Sequence, residues 1–85
     1  MTLPTIHSNG TSARCLAEGY ADARIAVQAA ANALSKVEFN ARDYYPQGSQ
    51  AWSQACTERK EMFDALAEIH DKLYLIESHC SEFIK

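Results

Sequence analysis

The sequence predicts an all-α protein: an antiparallel two-helix hairpin with an extended N-terminal arm, assembling through its apolar faces into an oligomeric helical bundle. Three observations predict it. From Trp52, the residues Ala55, Arg59, Met62, Leu66, Ile69, Leu73, Ile76, Cys80 and Phe83 follow in unbroken steps of three and four, the spacing of a heptad seam. A second seam runs through Leu16, Tyr20, Ala23, Val27, Ala30, Leu34 and Val37 in the same alternation. Between the two, residues 39–48 follow neither pattern and hold Pro46 and Gly48, both helix-breaking residues.

Residues 1–11, MTLPTIHSNGT, mix Pro, Gly, Asn, Ser and Thr with the isolated apolar residues Leu3 and Ile6, which reads as an extended arm. Leu3 and Ile6 are placed to pin that arm to the far end of the second helix, which is the longer of the two. Thr11 or Ser12 can cap the first helix by accepting a hydrogen bond from a free N–H. That helix is expected over 13–38, roughly 40 Å at 1.5 Å per residue. Its centre, Ala26 to Ala33, has high helix propensity and small side chains that let a neighbour approach closely. Gly19 is discordant there, costing on the order of 1 kcal/mol relative to Ala.

The connection, 39–48, is longer than a tight helix–helix link needs, and it holds Arg42, Tyr44 and Tyr45. Asn40 suits a helix end, Pro46 disfavours helix at Tyr45, and Gly48-Ser49 supplies a joint and a cap. The second helix is expected over 50–83, roughly 50 Å long. Its outer face carries Glu61, Asp64, Glu68 and Lys72 at helix-pair spacings. Phe63 and Leu75 lie off the seam and, with Tyr74, widen the apolar face beyond what one partner helix covers. Trp52, Phe63, Tyr74 and Leu75 are therefore the expected oligomer interface. Closure at the connection sets Val37 toward Trp52, Val27 toward Met62, Tyr20 near Ile69, Leu16 near Leu73, and Arg59 against Ala29 and Ala30.

Composition narrows the class. At 85 residues, 47% hydrophobic and 22% charged, the chain reads as one soluble globular domain, 1–85. A lone hairpin of this size would leave much of its apolar stripe wet, so self-association to a dimer or higher homo-oligomer is expected. With 8 basic and 11 acidic residues, net charge −3, and no basic stripe, duplex nucleic acid is not an expected partner. Nothing reaches transmembrane length, so no membrane association is expected. An odd set of three cysteines, Cys15, Cys56 and Cys80, suits a reducing compartment, and Met1-Thr2-Leu3-Pro4 has no basic leader. A cytoplasmic location is expected.

Four residues stand out as candidates for ligand or partner binding. An Arg fork beside aromatic faces, as in Arg42, Tyr44 and Tyr45, can hold a phosphate or carboxylate and stack a flat group; the simpler reading has Arg42 and Asp43 tending helix ends while the tyrosines cover the open bundle. Arg59 interrupts an apolar seam, and a buried cation costs several kcal/mol unless paired, with Glu38, Asp22 or another subunit's carboxylate as the expected partner. Either it fixes register or it forms an anion site. His7, His70 and His79 with the three cysteines show no metal spacing, so neither a metal nor a cofactor is expected. No catalytic signature is present, and no catalytic residue is assigned.

Two segments carry a resemblance. Thr5-Ile6-His7-Ser8-Asn9-Gly10-Thr11-Ser12 and Arg42-Asp43-Tyr44-Tyr45-Pro46-Gln47-Gly48 resemble a group of small phage and prophage proteins with a T-H-x-N-G-T-S start and a G-R-D-Y-Y-x-Q-G link between two helices. Here Ile6 is inserted after Thr5, and Ala41 stands where the group has Gly. The resemblance implies a phage origin and a bacterial host cytoplasm; it supplies no activity. Small phage proteins often disable a host component, so the expected role is a non-enzymatic accessory protein that binds and modulates a bacterial protein in counter-defence. The alternatives are an oligomeric sponge for an anionic, nucleotide-like ligand captured by Arg42, Tyr44, Tyr45 and Arg59, and a structural or assembly component of a phage.

Overall fold

A computed structural model describes residues 1–85 and is all-helical: α1 spans Ala13–Ser35, two 3₁₀ turns follow at Ala41–Asp43 and Tyr45–Gln47, and α2 spans Ala51–Ser81. The two long helices pack antiparallel as a hairpin. Ser12 caps α1, its Oγ accepting from the Cys15 N–H at 3.1 Å. No side chain caps α2, whose first turn follows Gly48 at φ +114° and ψ 172°, a backbone geometry essentially confined to glycine. No helix is long and apolar enough to cross a membrane.

The first helix ends at Ser35, three residues short of the expected Glu38. Here the Ser35 hydroxyl donates to the Asn32 carbonyl at 2.6 Å, while Lys36 and Val37 donate to Ala33 and Leu34 in a tightened last turn. Asn40 is extended at φ −134° and ψ 143° and donates from its side chain to Glu38. Leaving the helix early sends Phe39 back over the start of α2, where it meets Trp52. The helices consequently pair about one turn later than the expected register. Leu34 shares a hollow with Arg59, Val27 with Leu66, and Tyr20 with Leu73, so successive pairs lie seven residues apart on each helix.

The expected seam on α2 holds at Trp52, Ala55, Arg59, Leu66, Leu73, Ile76 and Cys80, which are buried or half-buried. At Met62, Ile69 and Phe83 it fails: these residues are about half exposed, and Phe63, His70 and Ile84 are more covered than they are. A strict seven-residue repeat drifts by about 20° per heptad on a helix of 3.6 residues per turn, so these three slide onto one flank. On α1 the same drift covers Ala17 and Ala31 and leaves Ala30 exposed.

The N-terminal arm reaches the far end of α2 as expected, but the contact is made by Pro4, and Leu3, expected to help pin it, is 40% exposed. Pro4 O accepts from His79 Nε2 at 2.8 Å, and His79 in turn lies edge-on to Phe83 at 5.3 Å. The whole is a rod of 60 × 22 × 16 Å with a radius of gyration of 18.6 Å, against about 12 Å for a compact chain of this length. Three residues are buried, Ala13, Ala17 and Cys80. A thickness of 16 Å is one layer of helices, whereas a domain core ordinarily lies between two.

Candidate functional site

The connection end is held by an aromatic cluster. Phe39 lies 4.7 Å from Trp52 and 5.8 Å from Tyr44, and Tyr44 lies 5.7 Å from Trp52, centroid to centroid. Arg59 enters this cluster from α2, its guanidinium carbon 4.8 Å from the ring centroids of both Phe39 and Phe63. A cation between two ring faces is stabilised by their quadrupoles, which answers how a seam position tolerates arginine. Arg59 forms no ion pair within its own chain. The register has moved one turn, so Arg59 lies beside Leu34 in place of the expected Ala29 and Ala30, with Phe39 brought in by the connection and Phe63 its own i+4 neighbour on α2.

Of the four candidate binding residues, the structure brings together two. Tyr44 and Arg59 line a hollow of about 210 Å³ with Leu34, Val37, Phe39 and Met62. Arg42 and Tyr45 are exposed on the connection and line no part of it. Glu38 and Glu58 also line the hollow, so an anion entering it would meet two carboxylates and one guanidinium. This electrostatic balance does not favour capture of a phosphate there.

The expected interface residues are spread over different surfaces. Trp52 and Phe63 are used inside the chain, in the aromatic cluster and beside Arg59. Tyr74 is exposed under the Arg24 guanidinium at 5.8 Å, and Leu75 is exposed on α2. The two broad faces of the rod differ in chemistry. On one, Arg24 Nε donates to Glu77 Oε1 at 2.6 Å, a pair that raises the Arg24 pKa through its hydrogen bond against the opposing effect of desolvation. Lys60 pairs with Asp64 at 2.7 Å, with its pKa raised by that hydrogen bond, and Gln28, His70 and Asp71 line a further hollow on the polar side.

The opposite face is apolar along most of its length, with Glu38 and Glu58 beside Val37 and Met62 at the connection end. It holds Val37, Met62, Ile69 and Phe83, with 58%, 49%, 47% and 48% of their surface exposed, and a hollow of about 300 Å³ between Leu16, Gly19, Tyr20, Ala23 and Leu73. Helical spacing places Ala26, Ala30 and Ala33 along the same flank of α1. Sequence reasoning identifies these residues as a seam but not as an open face. It misses the Arg24–Glu77 pair altogether; the available signal is a charged residue on α1 seven positions from Ala17 and from Ala31, both of which face the partner helix.

The thiols and imidazoles are dispersed. Cys15 and Cys56 are exposed and Cys80 is closed off, all three free. His70 pairs with the neighbouring Asp71 at 3.2 Å, His79 holds the arm, and no three His, Cys, Asp or Glu side chains converge as a metal site would require. No family model, curated protein or solved structure matches this chain.

Proposed function

We propose that the chain is a phage or prophage accessory protein that works by binding rather than by catalysis, as a homo-oligomer in a bacterial cytoplasm, and that its target is a host protein of a defence or regulatory system. The observation that carries the binding part is the ratio of core to surface: three residues of 85 are buried, while large apolar side chains line a whole flank of the rod. A chain with so small an interior of its own is built to complete itself against other chains. The phage part rests on the two segments resembling phage hairpin proteins. Arg42 and Tyr45, exposed at the connection end, are the residues offered to the host protein.

The test is a pull-down from host lysate with the full chain, followed by native mass spectrometry of the complex. The reading expects one bacterial protein in fixed ratio, lost in Arg42→Ala/Tyr45→Ala. A thermal shift with added nucleotides and no protein retained would overturn it in favour of a small-ligand sponge. Retention of phage structural proteins instead would point to assembly.

A further inference from the structure

We infer that the apolar face of the rod is covered by a second copy of this chain, stacked face to face so that α1 of each copy lies on α2 of the other in an antiparallel four-helix bundle. This rests on the reading that the chain self-associates and goes further by naming the surface, the arrangement and the register.

The rod leaves more surface in water than its mass requires. The chain exposes 6250 Å², whereas a compact monomer of 9.5 kDa exposes about 5,000 Å². The excess over the whole rod is roughly 1,200 Å², of the same order as the ~800 Å² per partner that a standard stable interface covers. One added layer of helices on a rod 16 Å thick supplies the two-layered core the single hairpin lacks.

Charge and shape then choose the occupant and its orientation. Two copies, each of net charge −3, repel wherever their charged surfaces meet. The hollow at Leu16, Gly19, Tyr20, Ala23 and Leu73 on this face is lined by no charged side chain. Glu38, Glu58 and Arg59 stand beside Val37 and Met62 at the connection end of the face, and the opposite face carries Arg24, Glu77, Lys60 and Asp71. The flank of α2 presents large side chains at seven-residue intervals, the exposed Met62 and Ile69 and the half-buried Ile76; the flank of α1 presents Ala30, exposed, and Ala23, half-buried, at the same interval. A Cβ added at Gly19 would meet nothing within 4 Å of its own chain, so no intrachain contact demands glycine there.

A two-fold axis parallel to the rods keeps each residue at its own level and carries α1 of one copy over α2 of the other. In the observed register Met62 is then nearly level with the partner's α1 at position 30, Ile69 with position 23 and Ile76 with position 16. Two of those three positions are alanines, so large knobs meet small residues along the central stretch. An axis across the rods would stack α1 on α1 and α2 on α2, small on small and large on large, leaving voids beside collisions.

The experiment uses the full chain with Cys15→Ser and Cys56→Ser as background. Sedimentation of the parent is expected to give twice 9.5 kDa. Ala30→Glu buries a charge at the centre of the face and is expected to weaken association by about 100-fold or more, while Gln28→Glu on the polar side leaves it unchanged. Because Ala30→Glu can unfold the chain, mixed Ala30→Cys and Met62→Cys singles are oxidised in parallel, and the 30-to-62 covalent heterodimer is expected over either homodimer. A monomer at tens of micromolar overturns both this arrangement and the self-association it rests on. Association that survives Ala30→Glu, or homodimers in place of the heterodimer, overturns the arrangement alone, and a host protein retained in place of the second copy does the same.

Discussion

Replacing Trp52 by Ala tests whether the aromatic cluster holds the hairpin closed. Trp52 makes two ring contacts, with Phe39 at 4.7 Å and with Tyr44 at 5.7 Å. Each such pair contributes about 0.5–1.5 kcal/mol beyond burial. Truncating a fully closed aromatic costs about 3–5 kcal/mol, and Trp52 is half-buried, so a loss of about 2–3 kcal/mol is expected. For a chain of 85 residues the total stability is on the order of 4–13 kcal/mol, so this is a large share of it. Phe39 also loses its support, and with it one of the two rings on Arg59. The assay is urea unfolding followed by the helical circular dichroism signal at one fixed protein concentration, because self-association would otherwise move the midpoint. Tyr45→Ala is the control: that ring is 69% exposed, and its removal is expected to change stability by less than about 0.5 kcal/mol. A Trp52→Ala loss below about 1 kcal/mol, or one matched by Tyr45→Ala, would refute the cluster as the clamp.

Other perturbations act at the caps, the joint and the arm. Ser12→Ala removes the acceptor for the Cys15 N–H and is expected to cost about 1 kcal/mol, read by the same unfolding curves. Gly48→Ala places a Cβ on a backbone at φ +114°, so it is expected to destabilise by about 1–3 kcal/mol even though no neighbour stands within 4 Å. His79→Phe keeps the stacking on residue 83 but removes the donor to the Pro4 carbonyl; limited proteolysis is expected to cut within the first eight residues several-fold faster, with the rest of the chain intact. Unchanged cleavage there would refute the hydrogen bond as what holds the arm.

Much of this architecture is written in local patterns. Both helices and the break between them follow from spacing and turn residues, because apolar periodicity and helix punctuation are short-range signals. The register is not legible in that way. It depends on where Phe39 goes, and the pull of Trp52 and Arg59 on that ring is a contact between segments that no local pattern encodes. The seam is legible as a stripe but not as an interior: Met62 and Ile69 keep heptad spacing yet lie on the flank, since a helix twists away from an exact seven-residue repeat. Arg59 stands out as anomalous from its position alone. Of the two rings that take the place of a carboxylate, Phe63 is the i+4 neighbour on the same helix and could be read from spacing, whereas Phe39 reaches Arg59 only through the fold of the connection.

The bond between Pro4 and His79 joins positions 75 apart in the chain, much farther than Leu34 and Arg59. A hairpin of this kind zips from its bend outward, since each successive turn closes a loop only slightly larger than the last. The strand of chain ahead of α1 therefore docks after the zipper has run its full length, and fraying begins at the same place in reverse. Hydrogen exchange should rank the amides accordingly, fastest at the ends farthest from Trp52, so that the latch at Pro4 is the last to close and the first to open.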